Sequence, residues 1–304
     1  MTDASAGLPR DRPLFGMSIT PTAVDHPRLI QQVLAAERGG LDLVGIQDHP
    51  YQRRFLDTFS LIADLAARTE RIRFFPDVAN LPLRGPTMIA KAAASMDVMS
   101  GGRFELGIGA GTFWDAVAGM GGPRRSAGDS ITALEEAVRI IRAVLDGERV
   151  VRGEGEFYPV SGYPPGPPPA HRVEIWIGAY RRRGLDLIAR MADGWVPSLG
   201  YLPPSRFGAA ASRLDAAAAR AGRNPRDIRR IYNLTGRITQ GELGDGPLVG
   251  PVELWVERLS EWYLDLGVDT FIFWPADAET RDVEIFARQI VPAVLEATAR
   301  EAGT

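Results

Sequence analysis

The chain has 304 residues, 45% hydrophobic and 24% charged, with a formal net charge of −3. That is the profile of a packed globular protein, and its one basic run, Arg181-Arg182-Arg183, is too short for a nucleic-acid partner. The absence of cysteine removes disulfides, thiolate nucleophiles and cysteine metal sites, and the three histidines (His26, His49, His171) lack zinc-binding spacing, so no metal is expected.

Short apolar runs alternate with longer stretches of helical period along the chain. Residues 1–12 are polar, without a signal-peptide core, and read as a flexible tail. A strand is predicted at 14–19, a helix at 27–38 with Leu29, Ile30, Val33 and Leu34 at helical spacing, a strand at 43–46 and a helix at 56–68. A third strand follows at 72–78, an alanine-rich helix at 88–99 and a fourth strand at 104–108. The pattern then loosens. Residues 109–128 read as a long loop over a site, 131–145 as an amphipathic helix, 149–160 as a hairpin and 163–169 as a proline-rich extended stretch. Strands at 174–177, 194–197, 228–239 and 270–274 alternate with helices at 184–192, 204–221, 252–266 and 279–299, with Gly222 as a helix stop. No uncharged apolar run approaches the roughly 20 residues of a membrane span, so no membrane partner and a cytoplasmic location are expected.

Eight strands, each followed by a helix, are the count of a (β/α)8 TIM barrel, here with an insertion region between strand 4 and strand 5 and a single domain over 1–304. A doubly wound open sheet is disfavoured because no glycine-rich phosphate turn follows the first strand.

In such a barrel, functional residues sit in the loops after the strands. His49 follows the second strand, where it is either a proton carrier at the mouth or a loop histidine held by Asp48. His26 and His171 read as structural or surface residues. Asp77-Val78-Ala79-Asn80 interrupts an apolar strand with polar residues where it leaves the barrel, as a bulge would or as a strand that ends. Gly107, Gly109 and Gly111 leave room for a ligand to approach. Phe113 and Trp114, with Val117, Met120 and Trp274, suggest a pocket for a partly apolar molecule, although loop aromatics also serve plain packing. Gly178-Ala179-Tyr180-Arg181-Arg182 opens a helix with small residues and arginines, which suits a phosphate on free backbone amides. A solvated basic turn is the alternative.

The runs Asp77 to Arg84, Ala90 to Asp97, Ser100 to Gly111 and Ala192-Asp193-Gly194-Trp195, in that order, resemble the bacterial-luciferase-like family of flavin- and coenzyme F420-dependent oxidoreductases, over nearly the whole chain. The resemblance implies a homodimer of barrels with the cofactor ring at the C-terminal mouth. It places Asp48-His49 where the family's histidine lies by the reactive ring, and Asp77-Val78 where a non-proline cis peptide backs it. Gly178 to Arg182 falls on the phosphate turn, and Asp115 near a position by the ring. Thr112 stands where the sugar-phosphate dehydrogenases carry an acid, and Arg53 near their tryptophan, which disfavours that substrate. Ala110 replaces an arginine that contacts the phosphate of flavin mononucleotide (FMN) in luciferase itself, which tilts the expected cofactor toward the deazaflavin F420. The expected function is hydride transfer between reduced F420 and a small, partly apolar organic substrate. A reduced-FMN monooxygenase and a non-catalytic flavin-binding barrel are the alternatives. Expected site residues are His49 as catalytic group, then Asp48, Asp77, Val78, Asn80, Gly111, Asp115, Gly178, Ala179, Tyr180, Arg181 and Arg182 at the cofactor, and Phe113, Trp114 and Trp274 at the substrate.

Overall fold

The computed structural model describes residues 7–275 and 280–302. Its strands, in chain order, are β1 (Leu14–Ile19), β2 (Leu43–Ile46), β3 (Arg73–Pro76), β4 (Ala79–Asn80), β5 (Leu106–Gly109), β6 (Val151–Gly153), β7 (Val160–Tyr163), β8 (Ile175–Gly178), β9 (Gly194–Trp195), β10 (Arg229–Ile238), β11 (Val249–Gly250) and β12 (Thr270–Pro275). Parallel pairing runs β3-β2-β1-β12-β10-β9-β8-β5-β4, and the Phe74–Phe104 bridge closes the ring between β3 and the approach to β5. The result is the (β/α)8 barrel that the alternation predicts.

The helices form where caps and apolar faces coincide. Asp25, Asp57 and Ser126 accept from first-turn amides of His26–Arg38, Thr58–Ala66 and Ala127–Leu145. The helix Pro86–Ser100 starts on proline and stops at Gly101, which has φ 70°. Four predicted elements change shape. The third strand breaks after Pro76 and resumes as β4; the Asp77–Val78 peptide between them is cis, and Val78 lies against the glycines of β5 and β8. The sixth strand is only Gly194–Trp195. The loop 109–128 contains a short helix, Trp114–Gly119. The insertion carries an antiparallel pair, β6-β7, but its second strand begins at Val160, where the hairpin predicted over 149–160 ends. The last helix divides into Thr280–Ile285, a π turn Phe286–Ile290 and Val291–Ala302, and its expected first residue, Glu279, lies outside the described residues.

Inside the barrel, Leu14, Leu43, Phe75, Trp176, Val196, Ile231 and Ile272 fill the lower layers, and Leu8 plugs them from below. Each such side chain contributes about 1.5–3 kcal/mol by leaving water. The larger apolar core lies between strands and helices. Of the tail expected over 1–12, residues 1–6 lie outside the described residues, while Leu8 is buried and Arg10 and Arg12 pair with Glu174 and Asp42. No helix among the described residues is long and apolar enough to cross a membrane.

The floor of the barrel is ionic. Arg73 pairs with Glu105, Arg229 with Glu174, and Arg142 with Asp193. His171 lies buried here, with Nδ1 2.7 Å from Asp97 and Nε2 3.0 Å from Glu105. Burial alone would lower its pKa, but the bonds to Asp97 and Glu105 outweigh burial and raise it from 6.5 to about 9. A raised pKa means the folded state holds the proton more tightly. The resulting stability is complete below pH 6.5 and is lost as pH rises through about 9. Urea denaturation should therefore show roughly 2–3 kcal/mol less stability at pH 10 than at pH 6.5 in the wild type, and a clearly smaller difference in His171→Gln. Equal slopes would remove His171 from this role.

Candidate functional site

The mouth is built at the C-terminal strand ends around Val78. Its Cγ2 lies 2.8 Å from the point where a Cβ on Gly109 would stand and 3.6 Å from the same point on Gly178, and its Cγ1 lies 3.2 Å from that on Gly107. A Cβ on Gly107 would also meet the carbonyl oxygen of Pro76 at 2.2 Å. The glycines of β5 are therefore the space into which the 76–78 segment folds. Gly111 is required twice over, by its φ of 100° and because a Cβ there would meet Pro82 at 2.6 Å and Trp114 at 2.8 Å.

Asp48 holds this segment from the β2 side. Its buried carboxylate accepts from the Asn80 amide at 2.8 Å and from Arg84 Nε and an Arg84 terminal nitrogen at 2.7 Å each. Arg84 also bonds Asp57 and lies over the Phe59 ring. Both oxygens of Asp48 are thus engaged by the 80–84 turn, which makes it an anchor of the mouth.

Polar side chains line the inner wall. Asn233 Nδ2 donates to Asp77 Oδ1 at 3.0 Å and to Ser198 Oγ at 3.4 Å, and the Ser198 amide donates to the Tyr180 hydroxyl. Burial pushes the Asp77 carboxyl up to about 6, against the lowering effect of the Asn233 bond. Four buried atoms here have no partner among the described residues: Ser18 Oγ, Asp77 Oδ2, Asn80 Oδ1 and Asn233 Oδ1. Buried polar atoms are rarely left unbonded, and three of these four are carboxylate or amide acceptors while the Ser18 hydroxyl can accept or donate, so the wall suits a ligand that offers N–H or O–H groups.

His49 stands half-buried after β2 with Nδ1 2.6 Å from the Tyr51 hydroxyl. Burial lowers its pKa, opposed by the charge of Asp48, and burial raises that of Tyr51 to about 12, so both are neutral near pH 7. Phe113 sets its ring edge-on to both, with centroids 5.8 Å and 6.2 Å away, from a left-handed backbone at φ 53°. On the β8 side, buried Trp195 donates Nε1 to the Ala179 carbonyl, fixing the turn that opens the helix Arg182–Met191. No side chain caps that helix, and Arg181 and Arg182 are exposed beside its first amides.

The structure thus places His49, Asp48, Asp77, Val78, Asn80, Gly111, Phe113, Trp114 and Gly178 at the C-terminal strand ends, linked by pairwise contacts, with the 179–182 turn following Gly178. Trp274 sits half-buried at the end of β12, beside Thr235 of β10. Asp115 does not join them: its side chain is 90% exposed and pairs with Arg124, because the helix Trp114–Gly119 turns it outward. Sequence reasoning missed Tyr51, Ser18, Ser198 and Asn233. For Asn233 a signal existed, since it is a polar residue at an inward position of a strand with period two.

A model of the luciferase-like monooxygenase family matches residues 15–239. The chain belongs to this family. A 5,10-methylenetetrahydromethanopterin reductase from Archaeoglobus fulgidus is 32% identical to this luciferase-like chain over 213 residues, covering 69% of the chain and 60% of the reductase, so the match spans less than two thirds of that relative. Among solved structures, an F420-dependent secondary alcohol dehydrogenase in complex with an F420-acetone adduct has a TM-score of 0.82 at 15% identity, over 93% of this chain and 99% of that one. EDTA monooxygenase from Chelativorans sp. BNC1 has a TM-score of 0.79 at 16% identity, over 95% and 94%. At those identities the likeness is one of fold.

Proposed function

We propose that this luciferase-like chain is an oxidoreductase that moves a hydride between reduced coenzyme F420 and a small, partly apolar organic substrate. The observation that carries the reading is the mouth itself: Val78 laid against glycines, an acceptor-rich wall of Asp77, Asn80 and Asn233, and neutral His49 opposite. Those features fit a flat deazaflavin ring with N–H groups at one edge. The Gly178 to Arg182 turn would hold its phosphate on free amides, with Arg181 and Arg182 adding charge. When bound, the cofactor supplies the hydride. The protein's own part is to back the ring with Val78, to donate or position with His49, and to wall the substrate with Phe113 and Trp114. Similarity to an F420-dependent glucose-6-phosphate dehydrogenase from Microbacterium testaceum, 30% identical over 220 residues that cover 70% of this chain and 65% of that one, supports the deazaflavin.

Titration of the purified protein with F420 and with FMN, followed by fluorescence quenching, should give at least tenfold tighter binding of F420. Tight binding of FMN alone would replace this reading with a reduced-flavin monooxygenase, and oxygen uptake would then be the next measurement. If neither bound, the cofactor assignment would be abandoned.

The homodimer belongs to the same proposal. Met88, Val98 and Met99 are 64%, 47% and 71% exposed on the helix Pro86–Ser100, with Met88 and Met99 three turns apart on one face. Sedimentation velocity should find a dimer in the wild type and mainly monomer in a Met88→Glu, Met99→Glu double variant. A monomeric wild type would end this part of the proposal.

A further inference from the structure

His49 and Tyr51 form the closest polar contact at the mouth that involves a titratable ring, 2.6 Å from Nδ1 to the phenol oxygen. Two arrangements satisfy that distance. Either the hydroxyl donates to a bare Nδ1, or an Nδ1–H donates to the phenol oxygen. The second arrangement leaves two groups without a protein partner among the described residues, the hydroxyl proton and Nε2, whereas the first leaves only Nε2–H. A bare imidazole nitrogen is also a better acceptor than a phenol oxygen, and a phenol the better donor. The first arrangement therefore wins.

The surroundings favour the same state. Burial lowers the His49 pKa and raises that of Tyr51, so neither ring is charged near neutral pH. The nearest carboxylate, Asp48, is occupied by Arg84 and the Asn80 amide and so does not compete for an imidazole proton. Phe113 closes on both rings from a backbone conformation that a residue with a Cβ keeps only when its neighbours hold it.

We infer that Tyr51 is a positioning residue: its hydroxyl donates to Nδ1 of His49 and so holds the imidazole as the neutral tautomer whose Nε2–H is a hydrogen-bond donor. On the far side of the ring, Nε2 has no protein partner among the described residues. The histidine then acts as a donor to a ligand's lone pair and not as a base that takes up a proton. This last point rests on the proposed function and deepens it, because a donor suits reduction of a carbonyl compound better than oxidation of an alcohol. Hydride from a bound reduced deazaflavin would form a C–H bond at the carbonyl carbon while the C=O π pair moved to oxygen. The Nε2–H would stay on the ring and hydrogen-bond that oxygen as charge builds on it; the proton would come from water, and the hydroxide so formed would be neutralised by the proton that the deazaflavin releases on oxidation.

The test is 15N NMR of the imidazoles in the ligand-free protein near neutral pH. Three histidines give a sparse spectrum, and His49→Gln identifies the His49 signals by their loss. The wild type should show Nε2 protonated and Nδ1 bare and hydrogen-bonded. Tyr51→Phe should move the Nδ1 signal toward that of a free bare nitrogen and admit the second tautomer, while Phe113→Ala should leave it in place. A protonated Nδ1 in the wild type, or signals unmoved by Tyr51→Phe, would overturn the inference. So would a shift in Phe113→Ala as large as that in Tyr51→Phe, since packing would then explain it. No cofactor is present in this experiment, so a failure to bind F420 would end the proposed function without touching the tautomer.

Discussion

Replacing Asp48 with alanine should destabilise the protein by about 3 kcal/mol and abolish cofactor binding together. The carboxylate side chain is 1% exposed and meets Arg84, itself 20% exposed, in a two-point contact. Removing one partner of a buried pair leaves the other charge uncompensated, at roughly 3–5 kcal/mol. The low end applies because Arg84 keeps its bond to Asp57. The Asn80 amide loses its acceptor as well, so the turn after β4 loses both ties to β2. Asp48→Asn keeps the shape and can still accept one bond, and should fall between the wild type and Asp48→Ala. Urea denaturation measures the first effect and F420 titration the second. A stability change under 1 kcal/mol with normal binding would show that the turn is held from elsewhere.

Gly107→Ala is the second large effect. The added methyl would stand 2.2 Å from the Pro76 carbonyl oxygen, a backbone atom that cannot rotate away. Either β5 or the 76–78 segment must move, at about 1–3 kcal/mol or more for overpacking. The displaced segment carries Asp77 and Val78, so F420 binding should weaken at least tenfold. Gly109→Ala supplies the contrast, because its methyl meets only the Val78 side chain, at 2.8 Å. Combining it with Val78→Ala should restore most of the lost stability, whereas Val78→Ala should not rescue Gly107→Ala, whose clash is with the main chain. Thermal melts of the wild type, the three single variants and the two double variants would read this. Equal rescue in both pairs would mean that Val78, and not the Pro76 carbonyl, sets the fit.

The amino-acid sequence by itself determined the barrel. Strands at 14–19 and 43–46 coincide with β1 and β2 because an apolar run bounded by turn residues is a local signal, and the helices follow from a 3.6-residue period that is equally local. The rule that barrel sites lie at the C-terminal strand ends then brought His49, Asp77 and Gly178 into view without any knowledge of contacts. What only the tertiary structure decided are choices among partners distant in the chain. Asp48 is spent on Arg84, 36 residues away, and Asp77 meets Asn233 across 156 residues. Asp115 faces out because a six-residue helix, too short to show a period, sets its direction. Tyr51 binds His49 from only two residues away, yet nothing in that spacing orients the two rings, since their contact is set by the course of the turn after β2. Periodicity is written in neighbours along the chain. A hydrogen bond between strand ends depends on where the closed sheet brings those ends, and that is a property of the assembled barrel.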